Sequence, residues 1–203
     1  MKLIVAILGY LIGSIPNGVI IAKIKNVNIL HHGSGNTGAT NVTRILGIKY
    51  GAIVFVLDFI KGFIPMFFWK QLAGQYEYFH DSVAFVLALA LIVGHVFSIF
   101  LQFKGGKGVA TTIGVLMSLI PCVTIIGIIL WYSVFSITRF VSLASLCFAM
   151  SLPLNAYLFA YPKTICQLIY IISVCIFISH YKIILRLWYG TENRFEKKNT
   201  HTR

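Results

Sequence analysis

Two glycine-rich polar segments carry the residue types with which proteins hold phosphate groups. The first reads Gly-Ser-Gly-Asn-Thr-Gly-Ala-Thr-Asn over residues 33–41, and an arginine follows it. Small residues let backbone N–H groups converge on an anion, polar side chains add hydrogen bonds, and an arginine can hold two phosphate oxygens. The segment lacks the Gly-Lys-Ser/Thr ending of a P-loop, and this disfavours nucleotide hydrolysis. We predict a phosphate site rather than a flexible connection, with these candidate ligands: Gly33, Ser34, Gly35, Asn36, Thr37, Thr40, Asn41 and Arg44.

The second segment places two lysines among three glycines. It reads Phe-Lys-Gly-Gly-Lys-Gly-Val-Ala-Thr-Thr over residues 103–112. A helix should begin at Val109, and the N-terminal end of a helix attracts an anion. The alternative is a basic turn that only sets membrane topology, which would need the lysines but not the glycines. We favour a second phosphate site, formed by Lys104, Gly105, Gly106, Lys107 and Gly108.

Polar residues in the second half of the chain form a third candidate group. His180 could donate to a phosphoryl oxygen or accept a proton from a hydroxyl, although a single histidine at a membrane surface is commonly structural. Lys182 and Arg186 lie four residues apart, so on a helix they should face the same way while His180 points elsewhere. Ser142 could bind a ligand or cap a helix.

Other polar side chains are predicted to serve the structure. Asp58 and Lys61 are spaced i, i+3 within an apolar run and should pair inside the protein. Residues 13–18, Gly-Ser-Ile-Pro-Asn-Gly, should break a helix where protein or a cavity covers the freed backbone. His95 lies inside a span and is therefore a functional candidate by default, but we favour a packed and hydrogen-bonded histidine.

The elements that position these residues must lie in a membrane. Of the 203 residues, 58% are hydrophobic and 11% are charged, and the mean hydropathy is +0.87. A soluble domain does not carry such a composition. Apolar runs of bilayer-spanning length predict an all-α, polytopic transmembrane bundle in a single domain, 1–203, with a polar tail from about 195.

About seven spans are predicted, at about 3–23, 50–70, 81–102, 107–120, 122–138, 141–160 and 164–187. The fourth is short and Pro121 separates it from the fifth, so these two could instead be one re-entrant feature and one span. With seven spans, thirteen lysines and arginines fall on one face and three on the other. The positive-inside rule then puts the C-terminus in the cytoplasm and the N-terminus outside.

Several classes of partner are disfavoured. The formal charge is +12, but the basic residues lie beside spans rather than among aromatic residues, so we predict no nucleic-acid binding. His31 and His32 lack a third ligand at a useful spacing, and we predict neither a metal nor a cofactor. The four cysteines show no metal or disulfide spacing and should pack helices: Cys122, Cys147, Cys166 and Cys175.

Taken in chain order, these motifs resemble the bacterial acyl-phosphate-dependent glycerol-3-phosphate acyltransferases. The resemblance rests on residues 13–16, 33–44, 103–111 and 180–192 and runs nearly end to end. It implies transfer of a fatty acyl group from acyl phosphate to the 1-hydroxyl of sn-glycerol 3-phosphate. The products would be lysophosphatidic acid and phosphate, in the first acylation step of phospholipid synthesis.

The resemblance also implies a setting and a set of site residues. It suggests the bacterial cytoplasmic (inner) membrane, an active site that faces the cytoplasm, contact with membrane lipids and an upstream acyl-phosphate-forming enzyme as a partner. The oligomeric state stays open. By the resemblance, Ser34, Asn36, Thr40, Asn41 and Arg44 fall on the first essential motif, Lys104 to Gly108 on the glycerol-phosphate motif, and His180 with Glu192 on the third. We predict Ser34, Arg44 and His180 as catalytic residues, Ser142 and the other residues of the two glycine segments as substrate ligands, and Glu192 as structural.

Three positions depart from the family pattern. Ile183 stands where similar proteins tend to carry an asparagine, three residues after the motif histidine. Asn28 and Leu30 stand where an Asp-x-Arg element often precedes the first glycine motif.

Acyl phosphate is an activated mixed anhydride, so positioning and charge neutralisation can suffice for the reaction. We expect direct attack by the glycerol hydroxyl, without an acyl-enzyme. The proton would pass to His180 or, as Ile183 favours, to a substrate phosphate. The alternative from another class is a transporter or channel for a phosphorylated anionic solute. It would predict symmetry between the two halves of the chain and charges near the bilayer midplane, whereas the candidates here gather at one surface.

Overall fold

The computed structural model describes residues 1–73 and 81–195, which fold as helices with short connections and contain no strand. The α-helices are α1 (Lys2–Ser14), α2 (Asn17–Ile24), α3 (Ala39–Leu46), α4 (Ile48–Ala73), α5 (Asp81–Val96), α6 (Val109–Leu119), α7 (Pro121–Thr138), α8 (Val141–Leu158), α9 (Lys163–Ser179) and α10 (Tyr181–Trp188). Short 3-10 helices lie at Ile29–His31 and Ile99–Leu101. A helix satisfies its own backbone in lipid, and the predicted all-α bundle is confirmed. The predicted polar tail lies outside the described residues.

Five stretches of the described chain are long and apolar enough to cross a bilayer alone. They are Lys2–Ile24, Ile48–Leu72, Ser82–Leu101, Pro121–Thr138 and Val141–Leu158, and α9 with α10 makes a sixth that is bent by 60°. α6 has only 11 residues. That is about 16 Å of helix, against about 30 Å for the hydrocarbon core. A seventh crossing, through α6, stays a prediction.

The first span is broken between α1 and α2, at Ile15 and Pro16. The break frees two backbone carbonyls, and side chains from other segments bind both of them. Ser98 Oγ donates to the carbonyl of Ser14 at 2.6 Å, and Lys61 Nζ donates to the carbonyl of Ile15 at 2.8 Å. As predicted, other parts of the protein cover the backbone groups that the helix break frees.

α6 packs closely against the second half of α4. A Cβ at Gly62 would overlap the carbonyl oxygen of Thr111, and one at Gly114 would overlap that of Phe59. These two glycines let the helix backbones touch. At the far end, Lys70 Nζ lies 3.4 Å from the carbonyl of Ser118. α6 therefore begins beside the middle of α4 and ends near the end of α4.

The chain turns back on itself after α10. We call residues 189–195 the C-terminal strap. The backbone N–H of Phe195 donates to the carbonyl of Arg139 at 2.8 Å, and the Phe195 ring lies 5.7 Å from that of Phe135. The Arg194 guanidinium lies over the Phe140 ring at 5.3 Å. These contacts fix the strap against the connection between α7 and α8.

Candidate active site

A cavity of about 300 Å³ lies where the first glycine segment, the start of α6, the start of α8 and the bend before α10 meet. Ten of the predicted site residues line it: Ser34, Asn36, Thr40, Asn41, Arg44, Lys107, Gly108, Ser142, His180 and Glu192. Six others do not: Gly33, Gly35, Thr37, Lys104, Gly105 and Gly106. Residues from four distant parts of the sequence thus share one cavity.

Asn41 organises the first glycine segment. Its Oδ1 accepts from the backbone N–H of Ser34 at 2.9 Å, and its Nδ2 donates to the carbonyls of His32 and Asn36 at 3.0 and 2.9 Å. Gly33 has a φ of +61°, and a Cβ there would overlap Asn41 Oδ1. The Asn41 amide is therefore occupied in shaping the loop, and Arg44, one turn further along α3, enters the cavity.

The second glycine segment was predicted to bind a phosphate, but only part of it reaches the cavity. The N–H groups of Gly105 and Gly106 donate to the carbonyls of Val96 and His95 at 2.9 and 3.0 Å, so they are already satisfied. Lys104 is exposed and lies outside the cavity. Gly108, with a φ of +84°, caps the start of α6. The segment acts as a turn that brings Lys107 and the first turn of α6 to the cavity.

Lys107 is a half-buried cation of the site, as are Arg44 and Arg186. Burial lowers its pKa to about 8, while Glu192 acts to raise it and Arg186 and Arg44 act to lower it. A phosphate group in the cavity would favour the charged ammonium, because an opposite charge nearby raises the pKa of a lysine. An anionic ligand therefore keeps Lys107 charged to higher pH than in the free protein.

His180 lies at the bend between α9 and α10 and is 2% exposed. Its Nδ1 lies 2.8 Å from the carbonyl of Ile176. Because a carbonyl only accepts, Nδ1 carries the proton and Nε2 is left as an acceptor. The neighbouring Ser179 hydroxyl lies 3.1 Å from the carbonyl of Lys107, which connects this bend to the second glycine segment.

The predicted pairing of Lys182 with Arg186 is wrong for the site. Arg186 lines the cavity together with His180, whereas Lys182 is exposed and lies over the Tyr181 ring. The prediction placed His180 away from both cations on a continuous helix, but the chain bends by 60° at His180, before α10, and His180 and Arg186 line the same cavity. Ile183, buried at 2% exposure, also lines the cavity.

Glu192 ties the C-terminal strap to the cavity. Its Oε1 accepts from the Ser142 hydroxyl at 2.9 Å, and its Oε2 lies 3.4 Å from Nε of Arg186. The Arg44 guanidinium donates to the carbonyl of Asn193 at 3.2 Å. The strap thus holds two cations and a hydroxyl at the polar end of the cavity.

The other part of the cavity is apolar. Phe55 of α4, Ile113 of α6 and Ile128 and Trp131 of α7 line it. The indole N–H of Trp131 donates to the Ser145 hydroxyl at 3.2 Å, so the ring has a fixed orientation. One cavity therefore joins a cationic end to an apolar end.

Sequence reasoning favoured a structural role for two of the lining residues. Asp58 and His95 both face the cavity, with less than a tenth of each residue exposed. The available signal was the occurrence of ionisable residues inside apolar runs, which commonly marks function. Trp131 gave no signal, because an aromatic residue in a membrane span is ordinary.

Comparisons with known proteins identify the family. The family model described as glycerol-3-phosphate acyltransferase matches residues 3–190. A protein named glycerol-3-phosphate acyltransferase from Aquifex aeolicus is 43% identical over 95% of this chain and 98% of its own length. Proteins of the same name from Fusobacterium nucleatum and Endomicrobium trichonymphae are 41% and 42% identical, over 94% and 98% of this chain and 96% and 99% of their own lengths.

Two crystal structures of PlsY, an integral membrane glycerol 3-phosphate acyltransferase, share the fold. The glycerol 3-phosphate form has a TM-score of 0.89 at 42% identity, over 96% of both chains. The lysophosphatidic acid form has a TM-score of 0.87 at 42% identity, over 96% of this chain and 95% of the other. With its apolar helices and bacterial relatives, the protein is a multi-pass bacterial membrane protein. It belongs to the glycerol-3-phosphate acyltransferase family.

Proposed function

We propose that this protein transfers a fatty acyl group from acyl phosphate to the 1-hydroxyl of sn-glycerol 3-phosphate. The products are lysophosphatidic acid and inorganic phosphate, and the step is the first acylation of phospholipid synthesis. One observation carries the proposal: a single cavity joins cationic Arg44, Lys107 and Arg186 to an apolar end formed by α4, α6 and α7. Both substrates carry a phosphate, and one carries a long acyl chain.

The mechanism is a direct transfer. The glycerol oxygen attacks the acyl carbon, the new ester bond forms, and the bond between that carbon and the phosphate oxygen breaks. Arg44 and Lys107 neutralise the phosphates, and Glu192, which accepts from the Ser142 hydroxyl, holds Arg186 beside them. The hydroxyl proton passes to a phosphate oxygen of a substrate, with Nε2 of His180 as the other acceptor. Ser34, at the edge of the cavity, donates a hydrogen bond rather than forming a covalent intermediate.

The setting follows from the same proposal. The active site faces the cytoplasm from the cytoplasmic (inner) membrane, where a soluble acyl-phosphate-forming enzyme would supply the donor. The acyl chain lies beside Phe55, Ile113 and Trp131. Membership in an acyltransferase family argues against a transporter.

A transfer assay tests the proposal directly. Purified protein in detergent receives palmitoyl phosphate and radiolabelled glycerol 3-phosphate, and lysophosphatidic acid should form. Palmitoyl-CoA should not replace palmitoyl phosphate. If only the CoA ester reacts, acyl phosphate is not the donor. If neither donor gives product under conditions that support a family relative, the transfer activity itself is refuted.

Two substitutions separate the cations in this assay. Arg44→Ala should lower kcat/KM by at least about tenfold, because it removes a charge from the cavity. Lys104→Ala should have a smaller effect, because Lys104 is exposed and outside the cavity. Equal losses for both would contradict the binding site described here.

The proton acceptor is tested at His180. If a substrate phosphate takes the proton, His180→Gln should reduce kcat by less than about tenfold. Loss of a general base would cost about 100-fold to 10,000-fold. A loss in that larger range would assign the proton to Nε2 of His180.

A further inference from the structure

A charged network inside the membrane lies directly beside the active-site cavity. Asp58 and Lys61 of α4 are 2% and 8% exposed, and their charged atoms lie 2.8 Å apart. A buried ion pair adds little net stability, because desolvation offsets its attraction. Charged residues in a membrane interior are costly and commonly functional. The pair therefore calls for an explanation beyond stability.

Asp58 connects segments that are far apart in the sequence. Its Oδ1 accepts from Nδ2 of Asn17 at 3.0 Å, and Nδ1 of His95 lies 3.7 Å away. Lys61 extends the network to the freed carbonyl of Ile15. His95 Nδ1 also lies 3.1 Å from the Thr111 hydroxyl. The network thus joins the break between α1 and α2 to α4, to the end of α5 and to the start of α6.

His95 carries the network to the second glycine segment. Its carbonyl accepts from the N–H of Gly106, and Nε2 of its ring points at that residue. A Cβ at Gly106 would overlap Nε2 of His95. The next residue in the chain is Lys107, which enters the cavity. The position of the His95 ring therefore sets the position of the turn that presents Lys107.

We propose that Asp58 and His95 are positioning residues for the bound phosphate. The Thr111 hydroxyl and Asp58 together fix Nδ1 of the His95 ring, the ring supports Gly106, and the turn places Lys107 and the start of α6 against the ligand. This proposal rests on the function proposed above.

A role as proton acceptor fits these two residues less well. Nδ1 of His95 lies against Thr111 and Asp58, and Nε2 faces Gly106, so neither nitrogen is presented to a substrate hydroxyl. A positioning role predicts a change in affinity for glycerol 3-phosphate with little change in turnover. A proton acceptor would chiefly change turnover.

The first test replaces Asp58 in the full-length protein. Asp58→Asn keeps the size of the side chain but removes the partner of Lys61. It should raise KM for glycerol 3-phosphate by about tenfold or more and change kcat by less than about threefold, because it removes binding shared by ground state and transition state. Lys70→Met is the matched control, since Lys70 also lies on α4 and contacts a backbone carbonyl, but far from the cavity. It should leave both constants unchanged.

The second test is a double-mutant cycle that does not depend on Asp58. Gly106→Ala alone should raise KM for glycerol 3-phosphate by about tenfold or more, because its Cβ displaces the turn from the His95 ring. His95→Ala should raise KM less. The double variant should have a lower KM than Gly106→Ala, because removal of the ring makes room for the Cβ. The proposal would be overturned by an unchanged KM in folded Asp58→Asn protein. It would also be overturned if the fold-change in KM of the double variant equalled the product of the two single fold-changes.

A binding measurement separates this proposal from the proposed reaction. Glycerol 3-phosphate should raise the unfolding temperature of the wild-type protein, and a concentration at least about tenfold higher should be needed for Asp58→Asn and Gly106→Ala. If wild-type protein binds glycerol 3-phosphate but transfers no acyl group, the reaction is wrong and the positioning role is still decided by these shifts. If glycerol 3-phosphate does not stabilise the wild-type protein, the positioning role is refuted.

Discussion

Lys107 should give the reaction a pH dependence of its own. Its pKa in the free protein is lowered to about 8 by burial. Below that pH the ammonium is charged and attracts the substrate phosphate, and above it the charge is lost. We expect kcat/KM for glycerol 3-phosphate to fall as pH rises above about 8, since this ratio reports groups of the free enzyme. The corresponding fall in kcat should occur at higher pH, because bound phosphate raises the pKa of Lys107.

Lys107→Arg distinguishes this lysine from other titrating groups. An arginine stays charged throughout the range, so the fall in kcat/KM above pH 8 should disappear. Lys104→Arg is the control, and it should keep the fall because Lys104 lies outside the cavity. An unchanged profile in the Lys107 variant would assign the titration to another group.

Individual residues show where sequence reasoning succeeded. Arg44, Lys107 and Ser142 could be predicted as site residues, because their types and neighbours suit phosphate binding wherever the fold puts them. The role of Gly105 and Gly106 could not, because a glycine amide looks equally available whether or not a distant carbonyl accepts from it. Those carbonyls belong to α5, and their approach depends on tertiary packing.

The contact between α4 and α6 should be intolerant of added side-chain volume. Gly62→Leu would push α6 away from α4, because even a Cβ at that position overlaps the carbonyl of Thr111. Overpacking typically costs about 1–3 kcal/mol, and we expect a lower unfolding temperature in detergent together with lost activity. Ala52→Leu is the control on the same helix, because Ala52 is exposed. Equal stability of the two variants would mean that the helices can separate freely.

The C-terminal strap should be required for activity. A chain that ends at Gly190 lacks Glu192, Asn193 and Phe195, and so loses the contacts to Arg186, Ser142 and Arg44. We expect it to lose at least about tenfold in kcat/KM, whereas a chain that ends at Phe195 should stay active. The transfer assay on both proteins, at matched amounts of folded material, measures the difference. Full activity of the shorter chain would show that the strap is dispensable.

The two interruptions in the helices differed in how well the sequence predicted them. Pro16 and the flanking glycines marked the break in the first span, since proline cannot continue a helix and freed carbonyls need partners. The bend at His180 has neither proline nor glycine beside it, and helical periodicity alone placed Lys182 with Arg186. At the bend, the Ser179 hydroxyl donates to the carbonyl of Lys107, a contact that depends on tertiary packing and has no signal in the local sequence.

The orientation of the whole molecule can be measured by labelling. The excess of lysine and arginine predicts that Lys104 faces the cytoplasm and Lys163 the outside. In a chain whose four native cysteines have been replaced, Lys163→Cys should react with a membrane-impermeant maleimide on intact cells. Lys104→Cys should react only after the cells are opened. The reverse pattern would invert the topology and place the cavity on the outer face.

The ammonium of Lys61 has a consequence for the ions that the molecule needs. Freed carbonyls at a broken helix, close to a carboxylate in the membrane, are the ligands with which many transporters bind sodium. Here the Lys61 ammonium lies between the carbonyl of Ile15 and the carboxylate of Asp58, so a side chain of the protein takes the place of a bound cation. We therefore expect the fold to require no dissolved cation at this break. Exchange of sodium for potassium should leave its stability unchanged.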